Sequence, residues 1–175
     1  VNIYLIGFMG SGKSTAGRKM ASLLQWAYSD IDKLVEEKEG CSVPDIFTHS
    51  GESYFREAES EVLRSLSSRS RTVVACGGGT PCSHENMGIM KSTGVVVYLK
   101  QTAEVITKRL QKSKTVRPLM NGLGRDEMMT RVVEMLDSRS QWYEMADLVV
   151  DGQNETIEEI TARVAGLVRE KGAFL

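Results

Sequence analysis

The sequence predicts an α/β protein in which a parallel β-sheet is covered by helices on both faces, and three observations carry that expectation. Short β-branched or aliphatic runs alternate with longer stretches of helical periodicity, the βαβα order of a parallel sheet. The runs are apolar without a break, as in Val95-Val96-Val97-Tyr98-Leu99, and strands lacking polar alternation are buried on both sides. The first run leads at once into a glycine-rich turn and a helical pattern, the setting of a phosphate-binding loop.

Taken in order, the strands are expected at residues 2–6, 72–75, 95–99 and 148–150, with a fifth, very short one near 27–29. Helices are expected at 14–25, 31–39, 53–67, 103–110, 126–145 and 155–171. Segment 111–124 (QKSKTVRPLMNGLG) breaks this pattern, being polar, basic and glycine-punctuated. A loop of that length is commonly functional. With Lys112, Lys114 and Arg117 it reads either as a mobile lid over an anion or as an exposed loop of solvated charges. One domain is expected over residues 1–175, with a core of 1–110 and 125–175 and a lid of about 111–124.

Composition excludes several classes. The 175 residues include 41% hydrophobic and 26% charged side chains and only three prolines, enough apolar content for a substantial core and against a disordered chain. A net charge of −1, from 22 basic and 23 acidic residues, provides no basic field for nucleic acid, so no nucleic-acid partner is expected. No apolar run approaches the roughly 20 residues that span a bilayer. The start of the chain lacks the charged region and cleavage site of a signal peptide, so a cytoplasmic location and no membrane partner are expected. Cys41, Cys76 and Cys82 form no CxxC pair, which argues against a disulfide framework or a zinc site. The nine methionines are read as adaptable packing, and His49 and His84 carry no motif.

Gly7-Phe8-Met9-Gly10-Ser11-Gly12-Lys13-Ser14 matches GxxxxGK[ST]. In such a loop backbone N–H groups turn inward around phosphate oxygens and the following helix adds its positive end. Lys13 then reaches the β- and γ-phosphates and the Ser14 hydroxyl ligates Mg²⁺. No guanine-reading NKxD element occurs, which speaks against a GTPase.

The acceptor side must come from elsewhere. Ser29-Asp30-Ile31-Asp32 places two carboxylates where a short strand gives way to a helix, the end of an open sheet that faces ligand. They serve either metal and substrate or, locally, the cap and dipole of the helix. In Gly51 to Glu59, Arg56 and Glu59 lie three apart on one helical face, either as a held guanidinium or as a surface ion pair. Cys76-Gly77-Gly78-Gly79-Thr80 permits close backbone approach to a ligand, or simply turns from strand to helix. Arg139 by itself says nothing.

Together these motifs make the chain resemble the shikimate kinase family from end to end: GFMGSGKST, SDID, GE-x-x-FR-x-x-E, the GGG turn, R-P-L in the lid segment and R-x-x-x-Y, in family order. The resemblance implies ATP-dependent phosphorylation of the 3-hydroxyl of shikimate, toward chorismate and the aromatic amino acids. It implies a three-layer P-loop kinase fold with five parallel strands ordered 2-3-1-4-5. ATP is implied to lie on Gly10, Ser11, Gly12, Lys13, Ser14 and Thr15, with Mg²⁺ at Ser14 and, through water, Asp30. Asp32 is implied to hold the acceptor hydroxyls; Arg56 and Arg139 bind the acceptor carboxylate, with Gly78 N–H assisting and Gly79 alongside. Arg117 is implied to reach the nucleotide phosphates from the lid and Arg109 to stack on adenine. Gln153 falls in the adenine-lining loop, which here reads Gly152-Gln153-Asn154-Glu155 without the proline often found there. Lys13, Asp32 and Arg117 are thus the expected catalytic set, in a chain expected to act as a monomer on small molecules.

Overall fold

The computed structural model describes residues 1–113, 117–152 and 154–172. In chain order it runs β1 (Asn2–Ile6), α1 (Lys13–Leu24), β2 (Ala27–Asp30), α2 (Ile31–Glu39), α3 (Val43–His49), α4 (Gly51–Ser67), β3 (Thr72–Ala75), a 3₁₀ turn (Thr80–Cys82), α5 (Asn86–Thr93) and β4 (Gly94–Lys100). It continues with α6 (Ala103–Lys112), a second 3₁₀ turn (Pro118–Met120), α7 (Arg125–Tyr143), β5 (Leu148–Asp151) and α8 (Ile157–Glu170). The five strands are parallel in the order β2-β3-β1-β4-β5, as the resemblance implies.

Side-chain alternation splits the strands between two cores. Ile3 and Leu5 of β1, Val73 of β3 and Val95, Val97 and Leu99 of β4 pack with α1 and α8. Tyr4, Ile6, Val74, Val96 and Tyr98 face the other way, against α2, α4 and α5. The central strands are buried except for Lys100 at the end of β4, whereas β2 and β5 are partly exposed, which is why a periodicity argument sees the first three clearly and the edges faintly. A third cluster joins Phe8 to α6, α7 and Met120, and so packs the turn that follows Arg117 against the phosphate loop.

Two helices were not expected. The Ser42 side chain accepts from Asp45 N–H while Asp45 accepts from Ser42 N–H, so a capping box opens α3 with Pro44 in its first turn. Helix α5 is short, includes Gly88 and ends in Ser92-Thr93, a composition with little helical signature of its own. Helix α6 runs to Lys112 instead of stopping at Leu110, with Thr102 as its N-cap, so Gln111 and Lys112 belong to a helix and not to the expected lid segment. Helix α4 begins at Gly51 instead of Ser53 and α7 ends at Tyr143 instead of Met145. Among the described residues no helix is long and apolar enough to cross a membrane.

A buried asparagine fastens the sheet to α4. Asn2 Oδ1 accepts from Thr72 N–H at 3.2 Å, and Nδ2 donates to Leu66 O at 3.2 Å and Arg69 O at 3.1 Å. Asn2→Ala leaves these buried groups without partners and is expected to cost about 1–3 kcal/mol. The check is the urea midpoint at unchanged slope; a wild-type midpoint would contradict the assignment.

Candidate active site

The P-loop leaves β1 at Gly7, whose φ is 141° and where a Cβ would stand 2.8 Å from Leu99 O. Gly10 and Gly12 have φ of 80° and 99°, a region open to glycine at little cost. Helix α1 therefore starts at Lys13 with no side-chain cap and no acidic residue in its first turn, and its N–H groups are left for an anion. Lys13 Nζ donates to Gly7 O and Phe8 O, both at 2.8 Å. Burial lowers its pKa to about 8, against the pull of Asp32 and other neighbouring anions. Ser11 Oγ is buried and has no partner among the described residues, and Arg109 of α6 donates to Gly10 O at 3.0 Å.

Strand β2 delivers the first carboxylate. Asp30 pairs in register with Ala75 of β3, and its Oδ2 accepts from Ser14 Oγ at 2.9 Å and Tyr28 OH at 3.0 Å. Its side chain does not cap α2, so the local capping reading fails for Asp30. Asp32, in the first turn of α2, lies against the glycine turn instead: a Cβ on Gly77 would stand 2.8 Å from Asp32 Oδ1 and 2.3 Å from Glu59 Oε1. Desolvation, with the charges of Glu59 and Asp30, raises the Asp32 pKa to about 6, although Lys13 and Arg117 oppose the shift.

The Arg56–Glu59 pair is not a surface ion pair. Glu59 is fully buried, and its Oε2 accepts from Arg56 at 2.5 Å. On the outer side Glu52 Oε1 accepts from Arg56 NH2 at 2.8 Å. The guanidinium lies flat against Gly79, where a Cβ would be 2.5 Å from its Cζ. Arg139 approaches from α7, with NH1 3.3 Å from where a Gly78 Cβ would be and the guanidinium 5.5 Å above the Phe8 ring. That NH1 is buried with no partner among the described residues. Four residues further along α7, Tyr143 OH donates to Gly78 O at 2.6 Å, so R-x-x-x-Y aims one cation and one anchor at the same turn.

Two cavities meet here. A cleft of about 680 Å³ follows Gly10 to Thr15, Asp30, Arg109 and Gly152. A smaller one of about 60 Å³ lies between Phe47, Phe55, Arg56, Glu59, Gly79 and Arg139. Asp32, Gly78 and Arg117 line both, and Arg117 Nε is buried without a partner among the described residues. The expected phosphate and acceptor residues are thus brought to one place. Lys114 and Gln153 lie outside the described residues. Sequence reasoning read Gly77 only as part of the glycine turn, gave Tyr28 and Thr80 no role, and missed the α3 wall of the small cavity at Val43 and Phe47. For α3 a signal existed, since Ser42 and Asp45 have capping-box spacing.

Comparison with known proteins agrees with this geometry. The family model described as "Shikimate kinase" matches residues 9–168. A shikimate kinase from Geobacter metallireducens is 40% identical over 94% of this chain and 90% of its own length. The crystal structure of shikimate kinase from Bacteroides thetaiotaomicron superposes with a TM-score of 0.86 at 33% identity, covering 99% of each chain. Shikimate kinase from Acinetobacter baumannii in complex with shikimate also gives 0.86 at 33% identity, over 99% of this chain and 95% of that one. With a family model matched over most of its length and relatives 33–40% identical over nearly all of it, the chain belongs to the shikimate kinase family.

Proposed function

We propose that this chain transfers the γ-phosphoryl group of ATP to the 3-hydroxyl of shikimate, giving shikimate 3-phosphate and ADP for the formation of chorismate and the aromatic amino acids. The observation that carries this reading is the position of Asp32, which lines both the P-loop cleft and the cavity where Arg56 and Arg139 meet the glycine turn. Two planar guanidinium forks suit a carboxylate, and a carboxylate beside backbone glycines suits hydroxyls. An acid carrying both groups is then held with a hydroxyl toward the nucleotide.

In this reading Gly10 to Thr15 cradle the ATP phosphates, Arg109 flanks the adenine, and Lys13 exchanges its two loop carbonyls for phosphate oxygens. The hydroxyl of Ser14 and the carboxylate of Asp30 are oxygen donors already in contact, a set that fits a hard cation keeping water and phosphate in most of its shell; Ser14 would bind Mg²⁺ directly and Asp30 through water. Bound there, Mg²⁺ supplies charge neutralisation at the β- and γ-oxygens. Phosphoryl transfer has a loose transition state, so positioning and electrostatics carry most of the catalysis. Asp32 orients the attacking hydroxyl and takes its proton, Gly78 N–H and Gly79 back the acceptor carboxylate, and Arg117 closes over the phosphates from a lid that follows α6 within a single domain. The chain is read as a cytoplasmic monomer on its sequence.

Arg56→Ala is expected to cost about 2–5 kcal/mol of shikimate binding, the range for truncating a buried charge pair. Steady-state kinetics read this as a raised KM for shikimate with ATP affinity unchanged; equal losses for both ligands would remove Arg56 from the acceptor site.

The pH profile follows from the two shifted groups. Asp32 acts as the carboxylate, so kcat/KM for shikimate falls as pH drops through about 6. Lys13 acts as the ammonium, so kcat/KM for ATP falls as pH rises through about 8. An acid limb centred at the ordinary aspartate value of about 4 would exclude Asp32 as the group that titrates.

A further inference from the structure

Behind the glycine turn runs a line of buried polar side chains. Asn86, Thr80 and Glu59 are all fully buried. Asn86 Nδ2 donates to Thr80 O at 2.9 Å, Thr80 Oγ1 donates to Glu59 Oε1 at 2.6 Å, and Glu59 Oε2 receives Arg56. Asn86 Oδ1 has no partner among the described residues, whereas both oxygens of Glu59 are met, and a buried carboxylate without its donors is costly. Each oxygen of Glu59 has one side-chain donor, and the two donors fix the plane of the carboxylate. That plane fixes Arg56, because the guanidinium must lie between Glu52, Glu59 and the bare Cα of Gly79.

We propose that Thr80 is a positioning residue for the acceptor: its hydroxyl sets Glu59, and through Glu59 the angle at which Arg56 presents its fork. Thr80 touches neither cavity and acts only through its neighbour. The backbone of Thr80 is itself fixed, with N–H donating to Gly77 O at 3.2 Å and the carbonyl held by Asn86, so the hydroxyl is delivered by a rigid turn and not by an adaptable loop. Valine at this position keeps the volume and loses the donor; serine keeps the donor and loses a methyl. The proposal rests on Arg56 as the acceptor-carboxylate ligand, and the test separates the two.

Shikimate KM and equilibrium Kd, kcat, and ATP Kd are measured for wild type, Thr80→Val, Thr80→Ala, Thr80→Ser and Arg56→Ala. Thr80→Val and Thr80→Ala are expected to weaken shikimate about tenfold, equivalent to ~1.4 kcal/mol, with kcat and ATP affinity within about twofold, and Thr80→Ser to stay within about twofold of wild type. The alanine variant serves if valine prevents folding. Wild-type shikimate affinity in either variant, or parallel loss of ATP affinity, overturns the proposal. If Arg56→Ala also leaves shikimate affinity intact, it is the reading of Arg56 that has failed; if Arg56→Ala weakens shikimate and the Thr80 variants do not, Thr80 alone is dismissed.

Discussion

The site depends on two carboxylates meeting across one glycine. Asp32 and Glu59 approach Gly77 so closely that any side chain there would collide with both. Burial, and after it the like charges of Glu59 and Asp30, raises the pKa of Asp32. The pair is tolerable because cations surround it: Arg56 holds Glu59, while Lys13 and Arg117 lie within electrostatic reach of Asp32. This gives the two acids different duties. Glu59 is bound to its partners at both oxygens and organises the turn, whereas Asp32 stands at the junction of the cavities.

The sheet explains how residues far apart in sequence reach that point. Parallel strands β1, β2 and β3 all end on the same side, so the P-loop, the Asp30–Asp32 segment and the glycine turn emerge next to one another. This is the crevice at the carboxyl ends of the strands where α/β sheets bind ligands. Helix α4 enters with Arg56 and Glu59 on one face, and α7 brings Arg139 one turn before Tyr143, which grips Gly78 O. The P-loop cleft and the cavity at Arg56 and Arg139 thereby share a wall, the arrangement that the proposed phosphoryl transfer requires.

Most of this was legible in the chain, and what was not had physical reasons. The central strands announce themselves because burial on both faces demands unbroken apolar runs, and the P-loop because few sequences place Gly10, Gly12, Lys13 and Ser14 between a strand and a helix. The edge strand β2 is four residues long and partly exposed, so it shows mainly through the motif beside it. Arg56 and Glu59 could be read locally as a surface pair; only tertiary packing, which buries Glu59 completely, decides otherwise. The glycine turn gave its backbone role but not its order, in which Gly77 separates the acids, Gly78 faces Arg139 and Gly79 underlies Arg56. Thr80 and Asn86 were invisible, since a buried hydrogen-bond line has no periodicity.

The most direct test of the account is ADP release with ATP and Mg²⁺ across shikimate, quinate, gluconate, a nucleoside monophosphate and no acceptor. The account predicts strong release with shikimate alone, its carboxylate held by Arg56 and Arg139 and a hydroxyl turned toward Asp32. Release driven by another acceptor would leave the phosphate cradle standing and contradict the acceptor site built around Gly77.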